Sequence, residues 1–121
     1  MTTVKFSHPN VPISPRKIRA LVATVKKMAP VKALISLKFT NSKSARILEK
    51  FVRNAVAAAK SNNQLTPESL KFDSFQVDEG LKIKRMDKSH GSRFARGVIQ
   101  KRHSRLSLTL SGVSDKIASQ Q

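Results

Sequence analysis

"KRMDKSHGSRFARGVIQKRHSR", Lys84 to Arg105, is dense in positive charge, holds a single acid, Asp87, and has little to bury. The residues that follow change character at once. Leu106, Leu108 and Leu110 alternate with Ser107, Thr109 and Ser111, the period of a strand with one buried face. Just upstream, Leu81 and Ile83 alternate with Lys82 and Lys84 in the same way. A charged stretch between two strands, with no helical stripe of its own, folds most simply as one long β-hairpin over about residues 82–105. Its base joins a sheet. Its end protrudes and turns near His90, Gly91 and Ser92, where glycine eases the bend. At about 3.3 Å per residue, arms of roughly ten residues reach roughly 30 Å. A free hairpin of this kind is marginal in water. Its basic residues are Lys82, Lys84, Arg85, Lys88, Arg93, Arg96, Lys101, Arg102 and Arg105. Such an arm is ordered by what it binds, and phosphate neutralisation with counterion release supplies that order.

Working back towards the N-terminus, the pattern turns helical. Leu48, Phe51, Val52, Ala55, Val56 and Ala59 form an apolar stripe at helical spacing, with Thr40, Asn41 or Ser42 as the cap. Before it, Pro30 stops one helix and begins a short second one, whose apolar residues are Val31, Leu34 and Ile35. The first helix starts at Ser14-Pro15. There the serine hydroxyl is expected to accept from a free backbone N–H, and proline at the first helical position loses no intrahelical bond. Ile18, Leu21, Val22, Val25 and Met28 fall on one face of that helix. Val4 and Phe6 give a weak strand signal before the prolines of "NVPISP" end it. After the third helix, Leu70 and Phe72, then Phe75 and Val77, read as a strand whose apolar phase slips, the mark of a bulge or strong twist.

The expected order is therefore strand, three helices, then two or three strands. That is an α+β fold: three helices packed on a small antiparallel β-sheet, with a long protruding β-hairpin. Residues 1–112 form one domain that includes the hairpin, and 113–121 form a polar C-terminal tail.

The partner is indicated by charge. The 121 residues include 24 Lys and Arg against 7 Asp and Glu, a formal net charge of +17. A polyanion is implied, nucleic acid first and an anionic membrane second. There is no cysteine, which excludes disulfides and thiolate-held metal. No apolar run approaches a membrane span and the N-terminus lacks a signal-peptide core, so a soluble cytoplasmic protein is expected. His8, His90 and His103 lack metal-ligand spacing, and Asp73, Asp78 and Glu79 read as strand-end and turn residues rather than a magnesium site. No phosphate loop, nucleophile motif or glycine-rich cofactor turn is present, so neither an enzyme nor a cofactor is expected. The start of the first helix, with Arg16, Lys17 and Arg19 beside it, suits a phosphate. Lys43, Lys60 and Lys116 read as ordinary solvated surface. Composition alone leaves two binding modes open: an RNA-binding component of a large assembly, or an architectural DNA-binding protein that grips a duplex with a basic β-arm.

Four separated blocks settle the choice by resemblance. "ISPRKIRALV" (Ile13–Val22), "ALISLKFTNSKSARILEKFVRNAVAAAKSNNQL" (Ala33–Leu65), "VDEGLKIKR" (Val77–Arg85) and "KRHSRLSLTLS" (Lys101–Ser111) occur in order and at fitting distances. Together they resemble the ribosomal protein L twenty-two family of the large subunit, bacterial type, over about Phe6 to Ser111. The resemblance implies a cytoplasmic ribosomal protein that binds large-subunit rRNA, supports assembly and threads a hairpin through the rRNA. It implies that the hairpin tip, here Ser89, His90, Gly91, Ser92, Arg93 and Phe94, helps line the nascent-peptide exit tunnel near ribosomal protein L four. The implied partners are rRNA, neighbouring large-subunit proteins and the passing nascent peptide, with no membrane. Lys101, Arg102 and Ser104 match the family's return arm, which places Ser104 among the rRNA contacts. The outgoing arm departs from the family by carrying an acid, Asp87, and no proline, and Arg105 stands where the family often has histidine.

Overall fold

The computed structural model describes residues 1–89, 91, 93 and 97–114. The elements run β1 (Thr2–Val11), α1 (Pro15–Val25), α2 (Pro30–Phe39), α3 (Lys43–Asn63), a 3₁₀ turn (Pro67–Ser69), β2 (Lys71–Met86) and β3 (Val98–Gly112). The strands form an antiparallel three-stranded sheet in the order β1-β3-β2. The expected α+β architecture is present.

β3 takes the centre because it has the longest clean alternation. Leu106, Leu108 and Leu110 are buried on its inner face, and Leu108 pairs with Phe6 on one side and Phe75 on the other. β1 is an edge strand, longer than Val4 and Phe6 alone indicate. It tolerates Pro9, whose missing N–H falls within the register shift between His8 and Val11. The phase slip in β2 is a bulge: the register with β3 shifts between Phe72 and Ser74. A second shift lies between Glu79 and Lys82, at the root of the hairpin. There a Cβ on Gly80 would lie 3.2 Å from the backbone carbonyl of His103, so a residue without a side chain fits this crowded position.

The helices cover one face of the sheet. Ile18, Val22 and Val25 of α1 are buried, and the α3 stripe buries Leu48, Phe51, Val52, Ala55 and Ala59. Phe51 joins helix to sheet through a tilted contact with Phe75, ring centroids 6.0 Å apart. α3 is capped by Ser42, whose hydroxyl accepts from the Ala45 N–H at 3.1 Å. α1 differs from expectation at its start: the Ser14 hydroxyl makes no capping bond, and the Ser14 carbonyl instead receives the Lys17 and Ile18 N–H groups.

α2 is rotated from the expected face. Pro30, Ala33 and Leu37 are buried, while Ile35 is 57% and Phe39 82% exposed. The small side chain of Ala33 gives α2 a close contact row against the core, and the bulkier Val31, Ile35 and Phe39 are left on the outer side. The stretch 113–121 also begins differently from a free tail. The Val113 carbonyl accepts from the Thr66 N–H at 3.1 Å, and Ser114 bridges to Leu65. Residues 115–121, Lys116 among them, lie outside the described residues.

The hairpin is formed by β2 and β3 beyond the Gly80 bulge. Lys82 pairs with Arg102, Ile83 with Lys101, Lys84 with Gln100, Arg85 with Ile99 and Met86 with Val98. The Asp87 N–H then donates to the Gly97 carbonyl at 3.2 Å.

Candidate nucleic-acid interface

The hairpin root is built against the start of α1 by one buried hydrogen bond. Ser104 is fully buried, and its hydroxyl donates to the Ile13 carbonyl. This overturns Ser104 as an rRNA contact: in β3 it shares the inward face with Leu106, so it cannot reach a partner and instead anchors the chain entering α1. A second tie comes from Arg19. Its Nε and Nη2 both donate to the Val77 carbonyl, at 3.2 and 3.0 Å, fixing the guanidinium between α1 and β2.

These ties bring together cations that are far apart in sequence. Arg16 and Arg19 of α1, Lys82 of β2 and Arg102 of β3 line one narrow notch of about 50 Å³, with Glu79 as its acid. Glu79 pairs with Lys82 at 3.4 Å, both side chains well exposed, a contact that contributes little to stability. Beside the notch lies an open cleft of about 470 Å³. Lys17, Lys43, Lys101 and Arg102 line it, together with Ser44 and His103. His103 sits between the two, its Nδ1 3.1 Å from the Lys101 carbonyl oxygen.

Other expected contacts are placed elsewhere. Lys84 and Arg85 lie farther along the outgoing arm, exposed, and Arg85 donates to the Lys84 carbonyl at 3.0 Å. Lys88 is exposed beside a small turn in which the Asp87 carboxylate accepts from the Ser89 hydroxyl at 2.6 Å and the Ser89 N–H at 2.9 Å. The Ser89 hydroxyl, then its N–H, holds the Asp87 carboxyl below its ordinary range. Arg105 faces away from the cleft, on the outer side of the sheet opposite Asp78. Arg93 has φ 53°, in the left-handed region, and no described glycine carries a positive φ, so Gly91 is not the residue that takes the unusual backbone conformation there. His90, Ser92, Phe94 and Arg96 lie outside the described residues. Reasoning on sequence missed Lys43, Ser44, Gln100 and His103 as cleft residues.

The basic root, the exposed arms and the sheet that carries them all fall within a segment with known relatives. A family profile described as Ribosomal protein L22p/L17e matches residues 6–111. The chain belongs to the ribosomal protein L22p/L17e family. It is 38% identical to the large ribosomal subunit protein uL22 of Petrotoga mobilis over 109 residues, covering 89% of this chain and 69% of that protein. It is 37% identical to the protein of the same name from Rubrobacter xylanophilus over 100 residues, covering 83% and 77%. A further uL22, from a Thermotoga species, is 36% identical over 98 residues, covering 81% and 60%. In this member of the L22p/L17e family, the notch and cleft at the hairpin root gather cations from α1, α3, β2 and β3.

Proposed function

We propose that this chain is a structural component of the large ribosomal subunit, held there by its contacts to large-subunit rRNA. Its relatives carry that name, and the convergence of Arg16, Arg19, Lys82 and Arg102 on one notch supports the binding mode. Guanidinium and ammonium groups gathered from three elements match phosphates of a folded RNA and carry no catalytic arrangement. The arms, with Lys84, Arg85 and Lys101, extend the grip, and the tip from Ser89 to Phe94 reaches the nascent-peptide tunnel beside the hairpin of ribosomal protein L four. The protein works in the cytoplasm as part of the ribosome and supports its assembly by bridging RNA segments.

The test is binding of the purified full chain to transcribed large-subunit rRNA across a salt series, with duplex DNA as competitor. Tight binding that weakens steeply with salt and resists the duplex is expected. Affinity that barely changes with salt, or equal competition by duplex DNA, overturns the assignment.

A further inference from the structure

We propose that the outer side of α2 docks a neighbouring protein of the large subunit, through a surface apolar at its centre and acidic at its rim; this rests on the ribosomal reading above. α2 is apolar on two opposite sides. At about 100° per residue, Pro30, Ala33 and Leu37 fall on one side of the helix, and Val31, Ile35 and Phe39 on the other. The first side is buried. The second is exposed, 39% at Val31, 57% at Ile35 and 82% at Phe39. A helix apolar all round is normally a buried one, yet only one of these two sides is covered by described residues. Single exposed apolar side chains are ordinary. Here Val31, Ile35 and Phe39 stand about one turn apart along the same helix, and a contiguous apolar patch of that kind marks an interaction site.

Charge identifies the occupant. On the helix surface Lys38 flanks the stripe on one side and Lys32 on the other, and α2 carries no acid. Of the elements it packs on, α3 pairs its single acid, Glu49, with Arg53, and the 3₁₀ turn holds Glu68. An apolar centre with a charged rim is the layout of a protein–protein interface, and two ammonium groups at the rim call for carboxylates opposite them. RNA matches this surface less well. Its phosphates would meet Lys32 and Lys38, and an unpaired base would stack on Phe39, but its polar backbone leaves Val31 and Ile35 without an apolar counterpart. No residue of α2 lines the notch or the cleft, so the stripe is separate from the surface where the cations gather. A helix of ten residues is about 15 Å long, and a strip about 10 Å wide along it offers far less than the roughly 1,000 Å² of a stable free complex. The occupant is therefore a neighbour held on the same rRNA, not a partner captured from solution.

Two measurements on the full chain test this. In the first, a photo-reactive benzophenone amino acid replaces Ile35, and large subunits containing the chain are purified and irradiated. A cross-link to one large-subunit protein is expected, through a peptide that carries Asp or Glu beside apolar residues, and it is absent when the same group replaces Lys60 at the far end of α3. A cross-link to rRNA, to a second copy of this chain or to its own residues 115–121 overturns the proposal, and so does no cross-link at all. In the second, Ile35→Gln and the pair Lys32→Glu with Lys38→Glu are compared with the parent. Because these side chains are exposed, the free variants are expected to melt like the parent. In salt-washed subunits that contain them, the cross-linked neighbour is expected to fall several-fold. Retention of that neighbour at the parent level overturns the docking surface while leaving the ribosomal reading standing. A parent chain that never enters large subunits overturns both.

Discussion

Ser104 shows how one residue changes meaning between sequence and structure. Within "KRHSR" it has cations on both sides and matches a family block, so it reads as part of a binding arm. In space it is the first inward-facing residue of the sheet, and its hydroxyl holds the Ile13 carbonyl. Ser104→Ala is therefore expected to lower stability by about 1–3 kcal/mol, because a buried carbonyl loses its donor. Urea unfolding measures this, and an unchanged midpoint with weakened RNA binding would restore Ser104 to the interface. Alternation alone could have revealed it, since Ser104 keeps the phase of Leu106 and Leu108. Lys43 was illegible for the opposite reason. Alone on a helix start it resembles any surface lysine, and only the tertiary approach of α1 and β3 places it in a cationic cleft. Asp87 gives a pH-dependent prediction. Its carboxyl is held below the ordinary 3.8 by Ser89, so the ionised form supports the turn. That support is complete above the ordinary value and is lost as pH falls through the lowered one. Ser89→Ala is expected to bring Asp87 back up towards 3.8. An NMR titration in which the variant and parent coincide would remove Ser89 as the cause.

At the scale of elements, legibility followed amphipathic pattern. α3 was readable because its stripe is long and faces one core, and β3 because its alternation is unbroken. α2 was not, because its seven apolar residues among ten are spread around the helix and periodicity gives no single face; the small Ala33 then decided the packing. The α3 stripe predicts that Ala55→Asp is severe. Ala55 is buried at mid-helix, and an unpaired carboxylate there is expected to cost roughly 3 kcal/mol or more. A variant that melts like the parent would show that α3 is not the core helix. The hairpin arms have the opposite character: Met86, Val98 and Ile99 are exposed, and no second layer covers them among the described residues. In the free protein, amides of Lys84, Met86, Val98 and Gln100 are expected to exchange much faster than those of Leu48 to Val56. Equal protection in both sets would mean that the arms are stable without a partner.

For the whole molecule, the organising fact is a net charge of +17 on a small fold whose cations gather where the hairpin leaves the sheet. Composition pointed to a polyanionic partner, and four sequence blocks indicated the family. The site itself was legible only in part, because α1, α3 and β3 converge through contacts such as Ser104 to Ile13 and Arg19 to Val77 that no local pattern encodes. The division of labour we propose places attachment at the root and tunnel function at the tip. Its most direct test is the amount of each variant in purified large subunits from cells that express it beside the parent chain. Lys82, Lys101 and Arg102 all replaced by Ala should strongly reduce incorporation, while deletion of Ser89 to Ser92 should enter subunits at the parent level and alter nascent-chain stalling. If the triple variant is incorporated normally and the tip deletion is excluded, the hairpin root is not what holds this protein on the ribosome.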